Sequence, residues 1–188
     1  GEVPAEQAPI TVISLREAKQ EIKKIIPILI AKHYYEEHKE DATSPPTSTL
    51  HLVIDEAHNI LSLQSSREAE SWKDYRLELF EEVIKEGRKF GMFVVIASQR
   101  PSDISPTIVS QVHNFFIHRL VNDRDLALLE NSISTLDTLS RSQIPTLPKG
   151  ACVVTGTTFD IPMLLQIEKL DIDKEPDSRD VDLRELWN

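Results

Sequence analysis

The sequence predicts an α/β protein built on a largely parallel sheet, and three observations carry that expectation. Short runs rich in Val and Ile alternate along the chain with segments of helical periodicity. The 188 residues, 40% of them hydrophobic, suffice to bury one sizeable core. The stretch "LHLVIDEAHNIL", Leu50 to Leu61, carries a buried-looking strand straight into Asp55 and Glu56, at the kind of strand end where open α/β sheets collect ligands.

The elements follow in order. "ITVISL" reads as a strand, and "REAKQEIKKIIPILIAKHYYEEHKE" as a helix with Ile22, Ile25, Ile26, Leu29 and Ile30 at helical spacing and a kink or local break expected at Pro27. "DATSPPTST" is a polar, proline-bearing loop leading into the Leu50–Asp55 strand. A second helix runs through "EAESWKDYRLELFEEVIKEGRKF", with Trp72, Tyr75, Leu79, Val83 and Ile84 on its apolar face and Gly87 near its end. "GMFVVIASQRP" is the next strand, stopped by Pro101. A short helical turn near "SPTIVSQV", a strand "NFFIHRL", a helix in "DRDLALLENSI" and two closing strands, "GACVVTG" and "IPMLLQI", complete the domain. That domain is expected over residues 1–167, with an acidic, proline-broken tail or docking arm over 168–188.

Composition narrows the function classes. No run approaches the roughly 18 apolar residues of a membrane span, and the start "GEVPAEQAPI" lacks the basic flank and apolar core of a signal peptide. A cytoplasmic protein without membrane partners is expected. The single cysteine, Cys152, excludes an internal disulfide and a cysteine-rich zinc site, so it reads as a core residue of the "ACVV" strand. A formal charge of −10 predicts no general attraction to nucleic acid, so any DNA contact must be local. His33 and His38 stand five apart, not the four that places two ligands on one helical face. No Gly-x-Ser-x-Gly elbow supports a serine hydrolase.

Apolar residues ending in Asp-Glu at a strand terminus form the Walker B pattern, in which the first acid holds Mg²⁺ and the second orients or deprotonates the attacking water. Asp55 is the metal candidate and Glu56 the candidate base; the alternative is that the pair starts a loop or caps the next helix. The strand "VVIASQRPSD" ends in Ser98, Gln99 and Arg100. An amide such as Gln99 can donate to a phosphate and accept from water, the work of a γ-phosphate sensor, or it can bond its own turn. Arg100 reads as structural.

"LVIDEAHNIL", the block "EGRKFGMFVVIASQRPSDISPTIVSQVHNFFIHRLVNDRDL" and "LPKGACVVTG" together resemble the C-terminal half of the ATPase core of HerA-type DNA translocases, in the FtsK/HerA superfamily of P-loop NTPases. The resemblance covers about Ile10 to Ile167 and implies a RecA-like core with three layers and a mostly parallel sheet. It implies ATP and Mg²⁺ as cofactors, a hexameric ring hydrolysing ATP between subunits, double-stranded DNA drawn through the pore, and a nuclease or other effector docked on the ring. In such a family an arginine at the "GRK" position, here Arg88, is a candidate arginine finger for the neighbouring subunit's ATP, with ordinary helix-end pairing as its alternative. Arg119, ending the "FFIHRL" strand, is the second candidate. A secretion or conjugation ATPase and a non-catalytic assembly module are the other readings.

The sequence departs from this pattern in one respect. A P-loop needs Gly-x-x-x-x-Gly-Lys-Ser/Thr, and none of the five glycines here precedes a Lys-Ser or Lys-Thr pair. In the resembled family the P-loop strand precedes these segments and lies between the strands that correspond to Met92–Ser98 and Phe115–His118. The chain is therefore expected to be a C-terminal portion of a longer protein, lacking a central strand and inactive by itself.

Overall fold

A computed structural model describes residues 10–40, 43, 45–63, 70–171 and 174, and the chain divides into two compact units between Val112 and His113. In the first unit helix α1 (Gln20–Glu40) precedes strand β1 (Leu50–Ile54), helix α2 (Glu70–Glu86), strand β2 (Met92–Ile96) and the single turn α3 (Pro106–Val109). β1 and β2 pair in parallel, in register from Leu50 opposite Met92 to Ile54 opposite Ile96. Parallel neighbours require a crossover, and α2 supplies it. Ile28 and Ala31 of α1, Phe80 and Val83 of α2, Ile54 and Met92 are buried in this unit. Tyr35 ties α1 to α2 by donating its hydroxyl to Glu82 Oε1 at 3.0 Å, and burial, followed by that carboxylate, pushes the phenol pKa up to about 12.

Two expectations are corrected in this unit, and a third, at Pro27, is narrowed. Residues 10–15, "ITVISL", form no strand, and Ile10, Val12 and Ile13 are exposed. Strand propensity measures fit to a half-buried pleated surface, and among the described residues β1 pairs only with β2. α1 is assigned as one helix straight through Pro27, so proline does not break it. The apolar face of α2 is also rotated from the expected one. Leu77, Leu79, Phe80 and Val83 are buried together with Arg76, while Trp72 and Tyr75 stack on each other at 5.5 Å, each more than a third exposed.

A 3₁₀ turn over Gly87–Phe90 continues α2, and Gly91 ends it in a left-handed conformation at φ 81°. A side chain there would enter the Ser48 carbonyl oxygen, so this sharp entry into β2 needs glycine.

The second unit holds β3 (Asn114–Ile117), α4 (Asp123–Ser132), α5 (Thr138–Gln143), β4 (Ala151–Gly156) and β5 (Met163–Gln166). Its sheet runs β3-β4-β5 with both pairings antiparallel, which corrects the expectation of a mostly parallel sheet. The link over 157–162 is too short for a crossover, so β4 and β5 can only form a hairpin. Ile117 and Val153 pack with Leu129, Ile133, Leu136 and Ile144 in the core of this unit. Both helices start on side-chain caps. Asn122 accepts the Arg124 N–H at 2.9 Å, and Asp137 accepts those of Leu139 and Ser140 at 2.9 and 3.0 Å. Hydrogen bonds from the Ser140 hydroxyl and N–H, with that of Leu139, hold the Asp137 carboxyl below the usual aspartate range. Cys152 is buried in β4, and burial pushes its thiol up.

Of the expected tail, only residues 168–171 and 174 are among the described residues. No helix among the described residues is long and apolar enough to cross a membrane.

Candidate functional site

The carboxyl ends of β1 and β2 are locked side by side beyond their last ladder positions. Ala97 N–H donates to the Ile54 carbonyl at 2.9 Å, and Ala57 N–H donates to the Ala97 carbonyl at 2.9 Å. This backbone lacing brings the acids that follow β1 next to the polar residues that follow β2. Asp55 is exposed, and its Oδ1 accepts the Glu56 N–H at 2.9 Å.

Glu56 stands at φ 48°, ψ 44°, and it is the one non-glycine residue with positive φ among those described. Such a conformation is costly for a residue with a β-carbon. The conformation aims the carboxylate at β2, where Gln99 Nε2 donates to Glu56 Oε1 at 2.7 Å. Glu56 makes no capping hydrogen bond to the 3₁₀ turn Ala57–Asn59 that it precedes, so a helix-capping role has no support in the geometry.

Two contributors escaped the sequence reading. His58, in the 3₁₀ turn, places Nδ1 3.1 Å from Ser98 Oγ and 3.3 Å from Glu56 Oε2. The serine contact has hydrogen-bond geometry. The glutamate contact is close but poorly aligned, and Oε2 is shielded from solvent with no hydrogen bond of its own. Ser98 Oγ also accepts the Arg100 N–H at 3.0 Å, which gives Arg100 a backbone role in the same turn.

Arg76 is the second. It is 1% exposed, and its guanidinium donates from α2 to the carbonyls of Ile60 and, at 3.3 Å, Ser62. Ser105 N–H donates to the Leu61 carbonyl at 2.9 Å, and Ser62 bridges Ile104, so the segment after Glu56 is bolted to both α2 and the segment after β2. A fully buried arginine is rare unless its donors are satisfied. No periodicity could have revealed these carbonyl partners in advance.

Arg88 is exposed in the 3₁₀ turn after α2. The neighbouring Lys89 is engaged by Glu86, whose carboxyl that hydrogen bond lowers below its usual range. Arg88 is thus not grouped with Asp55, Glu56, His58 and Gln99 in the contacts just described. Arg119, exposed and two residues beyond β3, belongs to the second unit and to a different sheet from β1 and β2. His118 Nδ1 lies 3.0 Å from the Ala151 carbonyl, a backbone contact inside the second unit.

Mg²⁺ is ordinarily held by one or two carboxylates plus substrate phosphates, rather than by a complete protein cage. The donors at the end of β1 fit that mode. Asp55 offers an exposed hard oxygen, Glu56 stands beside it, and among the described residues no group of three or more His, Cys, Asp or Glu could hold a metal by itself.

No protein-family model matches the chain. The chain is 32% identical over 123 residues to the DNA double-strand break repair helicase HerA of Sulfurisphaera tokodaii, covering 64% of this chain and 23% of that protein. It is 31% identical over 120 residues to the probable helicase MJECL08 of Methanocaldococcus jannaschii, covering 64% of the chain and 22% of the relative. The chain thus spans about a quarter of the length of these relatives. Among solved structures, the genome packaging NTPase B204 of Sulfolobus turreted icosahedral virus 2, in complex with AMPPCP, superposes with a TM-score of 0.57 at 14% identity, over 79% of this chain and 63% of that one. That likeness shows a shared fold, the α/β fold of a P-loop-type packaging ATPase. HerA helicases recur among the relatives, and the chain is similar in sequence to the HerA-type ATPases of the FtsK/HerA superfamily.

Proposed function

We propose that the chain is the C-terminal half of the core of a ring-forming ATPase that couples ATP hydrolysis to movement along double-stranded DNA. The observation that carries this reading is the 2.7 Å bond from Gln99 to Glu56 across the carboxyl ends of two parallel strands. A general base must be held within reach of its water, and an amide beside it suits sensing of the γ-phosphate. Asp55, with the substrate phosphates, would hold Mg²⁺, which when bound neutralises phosphate charge. Glu56 takes the proton of the attacking water, and Gln99 fixes the carboxylate's direction.

Arg88 is the trans-acting arginine, exposed at the end of a helix and free of the Glu86 contact that engages Lys89. A guanidinium suits that work because it stays charged and offers fixed donors. Arg119 is the second candidate. In this reading the phosphate loop comes from a part of the protein outside this sequence, and its strand pairs beside β2, which among the described residues pairs only with β1. A hexameric ring, with a nuclease or other effector docked on it, is the assembly that the resemblance implies, and the relatives' names add a part in DNA double-strand break repair. Because the chain carries a net charge of −10, DNA is gripped by converging Lys and Arg in the assembled ring and released by salt.

The test is ATP turnover by the complete protein with and without double-stranded DNA. Glu56→Gln should leave nucleotide binding intact and stop turnover, while the 188-residue chain by itself shows none. Turnover by Glu56→Gln within a few-fold of the parent removes Glu56 as the base.

A further inference from the structure

We propose that His58 is a positioning residue for Glu56, supplying a donor N–H to the carboxylate oxygen that Gln99 does not reach. Gln99 serves Oε1 alone. Oε2 is shielded from solvent and makes no well-formed hydrogen bond, an arrangement that is costly for a charged oxygen. The donor-capable atom placed against it is His58 Nδ1, at 3.3 Å, on a ring that is 15% exposed by its side chain. A small tilt of the imidazole converts that close approach into a hydrogen bond.

Ser98 holds the ring in place. Its Oγ lies 3.1 Å from the same Nδ1 and already accepts the Arg100 N–H. A bare Nδ1 lone pair would face the glutamate oxygen and repel it, so an ionised Glu56 selects the tautomer with the proton on Nδ1. That proton is shared between Ser98 Oγ and Glu56 Oε2. The two carboxylate oxygens are then held by donors from two chain segments, Gln99 after β2 and His58 after β1. A base at a strained left-handed position keeps one direction under that double restraint. Ser98 and Gln99 are adjacent, so a shift of the end of β2 moves both restraints together.

This inference rests on the reading of Glu56 as the base, and the experiment separates the two. In the complete protein, kcat and KM for ATP are measured for His58→Leu, His58→Asn and, alongside, Glu56→Gln. Asn carries an amide N–H where the imidazole carries Nδ1, whereas Leu fills similar space without a donor. His58→Leu should lower kcat about 10–100-fold, the range for groups that orient a catalytic residue from behind, with KM unchanged. His58→Asn should stay within a few-fold of the parent.

Equal kcat for the two variants, or a change confined to KM, overturns the role of His58. If Glu56→Gln keeps its turnover, the base reading falls and this inference with it. If Glu56→Gln is dead and His58→Leu active, only the inference falls. Should His58→Leu fail to fold, ring ¹⁵N NMR of the histidine-labelled parent decides, with the His58 signals assigned by their loss in His58→Asn. A neutral ring protonated on Nε2 overturns the proposal, and one protonated on Nδ1 is expected.

Discussion

The left-handed backbone of Glu56 makes a quantitative prediction about stability that is independent of any assay for turnover. At φ 48° and ψ 44°, a residue with a β-carbon is disfavoured by about 1–2 kcal/mol. Glu56→Ala keeps that strain, and Glu56→Gly removes it. Glycine in turn makes the unfolded chain more flexible, which costs about 0.4–1 kcal/mol. Both variants lose the bond to Gln99, so that loss cancels in the comparison. Glu56→Gly should therefore be the more stable of the two by roughly 0.5–1 kcal/mol. Urea unfolding of the two proteins measures the difference as a shift in midpoint at constant slope. An alanine variant as stable as the glycine variant, or more so, refutes the left-handed placement of this residue. Turnover should move independently of stability. Gly, Ala and Gln at position 56 should each lower kcat by about 10²–10⁴, the range of a lost general base, although Gln alone retains an acceptor for the Gln99 amide. A stabilised but inactive Glu56→Gly would show that the strain serves the site rather than the fold.

Other expectations follow from particular residues. Arg88→Ala in the complete protein should fold, assemble and bind ATP but hydrolyse it about 10³-fold or more slowly. Mixing it with Glu56→Gln under subunit exchange should restore part of the activity, and no recovery, with exchange verified, removes Arg88 from the trans-acting residues in favour of Arg119. Gly91→Ala combines a left-handed backbone with a clash against the Ser48 carbonyl, and should destabilise by about 2–5 kcal/mol in thermal or urea unfolding. The Asp137 carboxyl is lowered by its hydrogen bonds from Ser140 and Leu139, so the stability it contributes is present above its unfolded pKa and is lost as pH falls through the folded one. The gap between the parent and Asp137→Ala, followed by melting temperature against pH, should be full near neutrality and narrow below the ordinary aspartate value of 3.8. A gap that widens in acid contradicts the cap.

Local chemistry made much of this molecule legible before any fold was known. The run of apolar residues into Asp55-Glu56 identified β1, and "VVIASQ" identified β2, because an apolar run that stops on polar residues leaves a continuous mark. Cys152, read as a core residue, is buried in a strand that is buried along its whole length. What only the tertiary structure decided are the relations between distant segments. Gln99 meets Glu56 across 43 positions, and His58 meets Ser98 across 40; parallel pairing of β1 with β2 creates both contacts, and no spacing in the sequence encodes them. Helical periodicity selected Trp72 and Tyr75 as core, yet Arg76 occupies the interior, because its partners are the carbonyls of Ile60 and Ser62 on a loop whose path depends on the sheet. The apolar, β-branched run 10–15 carries strand propensity but stays irregular. A strand exists only with a hydrogen-bonding neighbour, and whether one is available is decided by the rest of the molecule.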